Sequence, residues 1–499
     1  MKKIIACLLA SLFCLTALAS CGDTEKDGST TTSASDTAPG STVSENLDVQ
    51  SEDPSVFDEL ERRNFGGHVF NIYYYSSDGN ETDFLAESET GDIQNDLIYA
   101  RNLAVMEAYN VGIHIDYINT ELTRIHDQVK KQVQAGDQTY DMFGGTRDTL
   151  SLSYGGFMYD LSTVSTLSLE NEWWDQGYVD AMTIGGSLYT VIGDMGVSTL
   201  LFPSGICFNK SLFDASHIAY PYDDVRAGKW TYERLQTILT DVAVDLDSDG
   251  KIDFKTDRMG LVGWGGESPY SALYTTGFRF MEKGADGEYA LNFDQERLTN
   301  ILERACSLWN MEGSHLTYTG SHPEHNELYG VFAQGRAYTA DISLLKIGIF
   351  FTGMEDDYGI VPTPKYDEAQ EGYHSYVGFT VPIAFMASNA ADPERTGLLM
   401  EAFGRASYEM VTPKMLEIVT KLKNVRDEDS AEMIEIIYRN KVVDTAHWFK
   451  LPGFGTFPLD ILKSGSASGV AARVRGSLKA AEKQWDIILK NFEKLKKAG

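Results

Sequence analysis

The chain has 499 residues, 43% of them hydrophobic and 11% aromatic, and its 42 Lys+Arg against 73 Asp+Glu give a formal net charge of −31. So much apolar material can build substantial cores, which excludes a globally disordered, collagen-like or coiled-coil chain, and the length is that of roughly two or three ordinary domains. The acidity argues against a nucleic-acid binder, which needs clustered Lys and Arg, and against a basic-faced binder of anionic membranes.

Lys2 and Lys3 precede the uncharged apolar run Ile4–Leu18. That run is shorter than the ~20 residues needed to span a bilayer and reads as an export signal. It ends in Leu18-Ala19-Ser20-Cys21, which resembles a bacterial lipobox: small side chains admit the peptidase, and the Cys21 thiol carries the lipid. Residues 1–20 are then a lipoprotein signal peptide, and the mature chain is expected on the extracytoplasmic face of a bacterial membrane. Residues 21–56 are rich in Ser, Thr and Asp, with no aromatic from 22 to 56. Such a segment cannot bury enough surface to offset its ordering entropy and reads as a disordered tether. Of the five cysteines, Cys207 and Cys306 lie in the folded part. They are expected to be buried small hydrophobes, with a disulfide as the alternative.

The first strand is expected at His68–Tyr75, near-continuously apolar as if covered on both faces. A helix follows on Ile93, Leu97, Ala100, Ala104 and Ala108, stopped by Asn110 and Gly112. Gly112–Ile118 reads as a strand, Leu122, Ile125, Val129 and Val133 as a helix, and Tyr140–Phe143 as a third strand broken by Gly144-Gly145. This β-α-β-α-β order implies a parallel sheet, whose carboxyl edge is where ligands bind. A second α/β unit reads as a strand over Leu200–Phe208, a helix capped by Thr231, a strand at Met259–Trp264, a helix at Leu298–Trp309, strands at Tyr338–Ile342 and Tyr358–Val361, and a long amphipathic helix at Ala471–Lys497.

Five segments in order then resemble one family. They are Gly185-Gly186-Ser187-Leu188-Tyr189, Ile206-Cys207-Phe208-Asn209-Lys210-Ser211-Leu212-Phe213, Lys229-Trp230-Thr231-Tyr232-Glu233-Arg234-Leu235, Phe332-Ala333-Gln334-Gly335-Arg336-Ala337 and Tyr358-Gly359-Ile360-Val361-Pro362-Thr363-Pro364. Behind a lipobox, they resemble the extracellular solute-binding proteins of ABC importers, in the carbohydrate-type group that includes the maltose-binding protein. The resemblance implies an α/β, two-lobed, hinged fold of the periplasmic-binding-protein-like type II, each lobe a mixed, mostly parallel sheet flanked by helices. Lobe one is then 57–200 plus 364–408 and lobe two 201–363 plus 409–499. The chain crosses near Gly196–Pro203, Pro362–Pro364 and Tyr408. The implied ligand is a small solute, a sugar or oligosaccharide above all, held between the lobes. The implied partners are ABC transporter permease subunits and, through the lipid, the membrane. A monomer is expected, and no cofactor is required.

Aromatic rings cover the apolar face of a pyranose, while carboxylates and guanidinium groups bind its hydroxyls. On that chemistry the candidate ligand-binding residues are Tyr74, Tyr75, Thr146, Arg147, Asp148 and Asp194 in lobe one, and Trp264, Tyr270, Tyr274 and Asp341 in lobe two. Trp173 and Trp174 are read as structural. Asp245, Asp247, Asp249, Lys251, Asp253 and Asp257 form a calcium-loop pattern around Gly250, with Thr256 where such loops carry Glu at position twelve. The ion would be structural. His322-Pro323-Glu324-His325 reads as a solvated loop. No Gly-x-Ser-x-Gly, His-Glu-x-x-His or P-loop is present, so no catalytic residue is named. The alternatives are a surface enzyme acting on glycans, and a binding protein for peptides or another small solute.

Overall fold

Two open sheets carry the chain, seen in a computed structural model that describes residues 54–75, 83–118, 123–285, 287–318, 322–351, 353–421 and 428–498. The signal peptide, Cys21 and nearly all of the tether lie outside the described residues. In chain order the strands are β1 His68–Tyr75, β2 Val111–Ile118, β3 Met142–Gly145, β4 Ser204–Asn209, β5 Met259–Trp264, β6 Met281–Lys283, β7 Tyr289–Leu291, β8 Ser314–Thr317, β9 Ala337–Ser343, β10 Tyr358–Pro362, β11 Ser375–Tyr376, β12 Ile383–Phe385 and β13 Lys441–Val442. Sheet one has the order β12-β3-β1-β2 and sheet two the order β10-β4-β9-β5-β8. In sheet one β2, β1 and β3 are parallel and β12 is antiparallel. In sheet two β9, β5, β8 and β10 run in one direction, and β4 runs antiparallel to both its neighbours, β9 and β10. The chain therefore leaves sheet one after β3 and returns to it at β12.

β1 buries one face rather than two: Phe70, Ile72 and Tyr74 are inside, while Val69 is 45% exposed. β3 does not stop at its glycines but runs through them, because the Tyr74 ring lies against Gly144. A Cβ there would sit 2.1 Å from Tyr74 Cδ2. The helix Ile93–Tyr109 forms as expected and ends on Asn110 in the left-handed conformation. Its buried stripe is Asn95, Ile98, Arg101, Asn102, Val105 and Tyr109, however, and Ile93 is exposed. Arg101 explains the rotation. It is fully buried and donates to the carbonyls of Phe84 and Met195 and to Ser407 Oγ, so a guanidinium occupies the face that an apolar count would exclude.

Leu200 and Leu201, read as strand, belong to the helix Val197–Leu201. Gly196 offers no side-chain cap, and Asp83 takes its place: its carboxylate accepts from Ser198 N and its carbonyl from Val197 N. Short apolar runs fit helix and strand alike until such a contact decides. Thr231 caps the helix Tyr232–Leu239 as expected, accepting from Arg234 N. The run His322–His325, read as loop, opens the helix His322–Ala333. Cys207 and Cys306 are both free and buried. Trp173 and Trp174 are structural: their indole N–H groups both donate to the buried carboxylate of Glu401, at 2.7 and 3.0 Å.

The final helix, Val470–Ala498, lies across elements distant in sequence. Phe492 stacks on Tyr189 at 5.1 Å, and Trp485 Nε1 donates to Tyr289 O at 2.6 Å. Among the described residues no helix is long and apolar enough to cross a membrane.

Candidate ligand-binding site

The carboxyl ends of β3 and β5 supply the two halves of the site. After β3 a tight turn forms in which Thr146 O accepts from both Thr149 N and Thr149 Oγ1. This turn presents Arg147, which is only 7% exposed. The Arg147 guanidinium carbon lies 4.0 Å from the centroid of the Phe379 ring. Its Nη1 is 2.8 Å from His447 Nε2 and 3.1 Å from Nδ1. An in-plane approach to both nitrogens at once would collide with Cε1 between them, so Nη1 sits over the imidazole face.

His447 is fixed from below. Asp444 caps the short helix Thr445–Trp448 by accepting from His447 N at 2.9 Å, and its other oxygen accepts from Phe280 N at 2.7 Å. Burial, and then the Arg147 charge, hold the His447 imidazole well below its ordinary pKa, so it is neutral. Tyr376 Oη is 3.2 Å from His447 Nε2. The helix Ser268–Tyr274 that follows β5 brings Tyr270 and Tyr274 onto Tyr376, at ring distances of 5.7 and 5.9 Å with nearly parallel planes. The structure thus unites predicted Arg147, Tyr270 and Tyr274 around Tyr376, Phe379 and His447. The Tyr274 hydroxyl is buried without a hydrogen-bond partner among the described residues.

A second, polar group stands at the end of β5. Trp264 is half-buried, and Gly266 must lack a side chain because the indole would lie 2.3 Å from its Cβ. Lys346 Nζ sits 4.1 Å from the Trp264 ring centroid and pairs with Glu267 at 2.8 Å. Glu267 is 6% exposed, and its Oε2 is buried without a partner among the described residues. Burial pushes the Asp341 carboxyl up to about 7; Ser268 opposes this, the Glu267 charge adds to it and Lys346 opposes it. The Lys346 ammonium therefore covers one face of the indole, and with the Glu267 carboxylate it places polar groups at the carboxyl end of β5.

The other predicted residues are engaged elsewhere. Tyr74 is buried and donates its hydroxyl to Asp83 Oδ2 at 2.5 Å. Tyr75 is half-buried and pairs with Ile118 across the sheet. Asp148 pairs with Lys450 at 2.7 Å on the surface. Asp194 is 4% exposed and accepts from Thr412 and Tyr438, joining the first chain crossing to the helical segment after Tyr408.

Glu267, Lys346, Tyr376, Phe379 and His447 were not singled out from the sequence. Glu267 had a usable signal, following Gly265-Gly266 directly at a strand end. His447 had none, since its partner Arg147 lies 300 residues away.

In the acidic loop, carboxylate oxygens of Asp245, Asp247 and Asp257 lie within 4.8 Å of one another. Asp257 is held below its ordinary pKa by the backbone N–H groups of Asp253 and Leu246. Asp249 and Asp253 instead bond along the loop, to Lys251 N and to Lys255 N, each at 2.8 Å. The converging donors are hard oxygens, which suit calcium rather than zinc or copper.

Hollows also open on the surface of the described residues. One of about 680 Å³ is lined by Arg234, Arg258 and Tyr338 among others. One of about 410 Å³ is lined by Asp180, Arg279, Lys283 and Lys441 among others. Neither is lined by a predicted ligand-binding residue.

No family model matches the sequence, and no curated protein matches it. Solved structures do match the fold. The cyclic α-maltosyl-1,6-maltose binding protein of Arthrobacter globiformis is similar at a TM-score of 0.54 and 16% identity, over 85% of this chain and 100% of that one. The apo form of RafE from Streptococcus pneumoniae is similar at 0.52 and 13% identity, over 84% and 98%. The ABC substrate-binding protein Lmo0181 from Listeria monocytogenes, solved with cycloalternan, is similar at 0.51 and 14% identity, over 84% and 99%. The fold is therefore the two-lobed type II fold of these solute-binding proteins.

Proposed function

We propose that this chain is the solute-binding component of an ABC importer, capturing a sugar or oligosaccharide between its two lobes and handing it to the permease subunits. The observation that carries this reading is the assembly of Arg147, from the carboxyl end of sheet one, with Tyr270 and Tyr274, from the carboxyl end of sheet two, around one neutral histidine. A site built from both sheets is completed only when the lobes approach, so a ligand that contacts both favours closure. The structural neighbours support the sugar: their names describe a maltosyl-maltose binder and a cycloalternan complex.

In this proposal Cys21 carries the lipid that holds the protein as a monomer at the outer face of the membrane. Residues 21–56 are the tether, lobe one is 57–200 plus 364–408, and lobe two is 201–363 plus 409–499. Calcium fits the Asp245–Asp247–Asp257 group as a structural ion.

A thermal-shift screen of the mature protein against maltotetraose, raffinose, cycloalternan and acidic oligosaccharides tests the reading, followed by calorimetry on each hit. Saturable binding with the oligosaccharide recovered intact is the expected result. The raised Asp341 carboxyl beside Glu267 is what a glycan hydrolase would use. Cleavage of a bound oligosaccharide on prolonged incubation would favour that second reading.

A further inference from the structure

Arg147 is a buried cation that no carboxylate among the described residues neutralises. The acids around it are otherwise occupied: Asp148 pairs with Lys450, Glu267 pairs with Lys346, and the buried Asp444 carboxylate accepts from His447 N and Phe280 N. Among the described residues Arg147 forms no ion pair, and its polar contacts run from Nη1 alone, to the ring face and the carbonyl of His447. Among the described residues its Nε is buried without a partner, and the contacts it makes, all from Nη1, leave Nη2 without an acceptor. The Phe379 ring on one side and the imidazole face on another fix the plane of the guanidinium. What remains is the Nε–Nη2 edge, two parallel N–H donors at the carboxyl end of β3.

That edge has the geometry that receives two oxygens of one anion. Neutral hydroxyls do not require it: a buried unpaired charge is a large penalty that a hydroxyl group relieves only in part. Its neighbours Phe379, Tyr376 and Tyr270 are flat rings suited to the apolar faces of a sugar.

Resting on the reading of the cleft as a carbohydrate site, we infer that the captured solute is an acidic oligosaccharide, whose uronate carboxylate or sulfate ester docks bidentate on Nε and Nη2 of Arg147. The ring carrying the anion then lies against the aromatic group, and neighbouring sugar units extend toward Trp264 and Glu267. The protein's net charge of −31 does not oppose this, because the local field at the edge is set by one desolvated cation.

The test is calorimetry on the intact mature protein with matched probes. These are trigalacturonate, its fully methyl-esterified form and neutral galactotriose, a hyaluronan tetrasaccharide, and a sulfated chondroitin disaccharide beside its unsulfated counterpart. The expected result is that at least one acidic probe binds about 100-fold more tightly than its neutral or esterified counterpart, a difference of about 2.7 kcal/mol. The uronate and sulfate arms identify which oxyanion it is. Esterification changes the ligand alone, so this comparison does not depend on a variant that folds. Arg147→Met should reduce the preference to within about threefold, and Arg147→Lys should restore it only in part, because an ammonium is a point charge. Tight binding of neutral probes with no gain for the acidic ones would overturn this inference and leave sugar capture standing. Failure of every probe to bind would overturn both.

Discussion

The guanidinium of Arg147 lies 4.0 Å over the ring of Phe379, and the two come from chain segments more than 200 residues apart. One follows a strand of sheet one, and the other stands in the loop between β11 and β12. Their contact closes the aromatic group in which the candidate site sits. Phe379→Leu should therefore release the Arg147 side chain. A cation–π contact in such a setting contributes about 0.5–2 kcal/mol, so ligand affinity should fall by roughly three- to thirtyfold. Calorimetry reads the affinity, and urea denaturation separates it from any loss of fold.

Trp264 is half-buried, and its ring faces the Lys346 ammonium. Trp264→Ala removes a stacking surface at the rim without opening the core. Binding of an oligosaccharide should weaken by about 1–3 kcal/mol, with a Tm shift of no more than a few degrees. Unchanged affinity would remove Trp264 from the site.

Asp341 gives the molecule a pH signature. Its folded carboxyl is raised to about 7 by burial, so the folded state binds a proton that the unfolded chain releases near its ordinary value of about 4. Its contribution is fully present below pH ~4 and is lost as the pH rises through about 7. Asp341→Asn should abolish that loss. The wild type should gain stability relative to the variant as the pH falls from 8 to 5, by an amount on the order of a few kcal/mol, read by urea denaturation at each pH. Equal slopes for the two proteins would show that Asp341 is ionised in the fold.

For the acidic loop, calcium should raise the Tm by on the order of a few degrees, and a chelator should reverse the gain. Asp247→Asn, at the exposed member of the trio, should remove the calcium response and leave the Tm in chelator unchanged. Asp257→Ala should also lower the Tm in chelator, because its carboxylate accepts from Leu246 N and Asp253 N, each at 2.8 Å. A Tm unmoved by calcium would assign these aspartates to loop geometry alone.

The fold was legible wherever a local pattern sufficed. Met259–Trp264 and His68–Tyr75 read as strands to the residue, and the Asn110 and Thr231 caps stood where a helix end and a helix start require them. Reading failed where a distant partner decided. Asp83 turns Val197–Leu201 into a helix, and Arg101 rotates the buried face of its own helix toward Met195 and Ser407. In the site, Arg147, Tyr270 and Tyr274 announced themselves as polar or aromatic residues beside strand ends. His447 and Phe379 did not, because nothing local distinguishes them from core residues, and their meaning comes only from Arg147.

The central claim is that ligand binding draws two lobes together around this site. Small-angle scattering of the mature protein, with and without a saturating oligosaccharide found by the screen, tests it most directly. The account predicts a smaller radius of gyration in the complex and a narrower distance distribution. A binding-competent protein whose scattering curve does not change on saturation would contradict it.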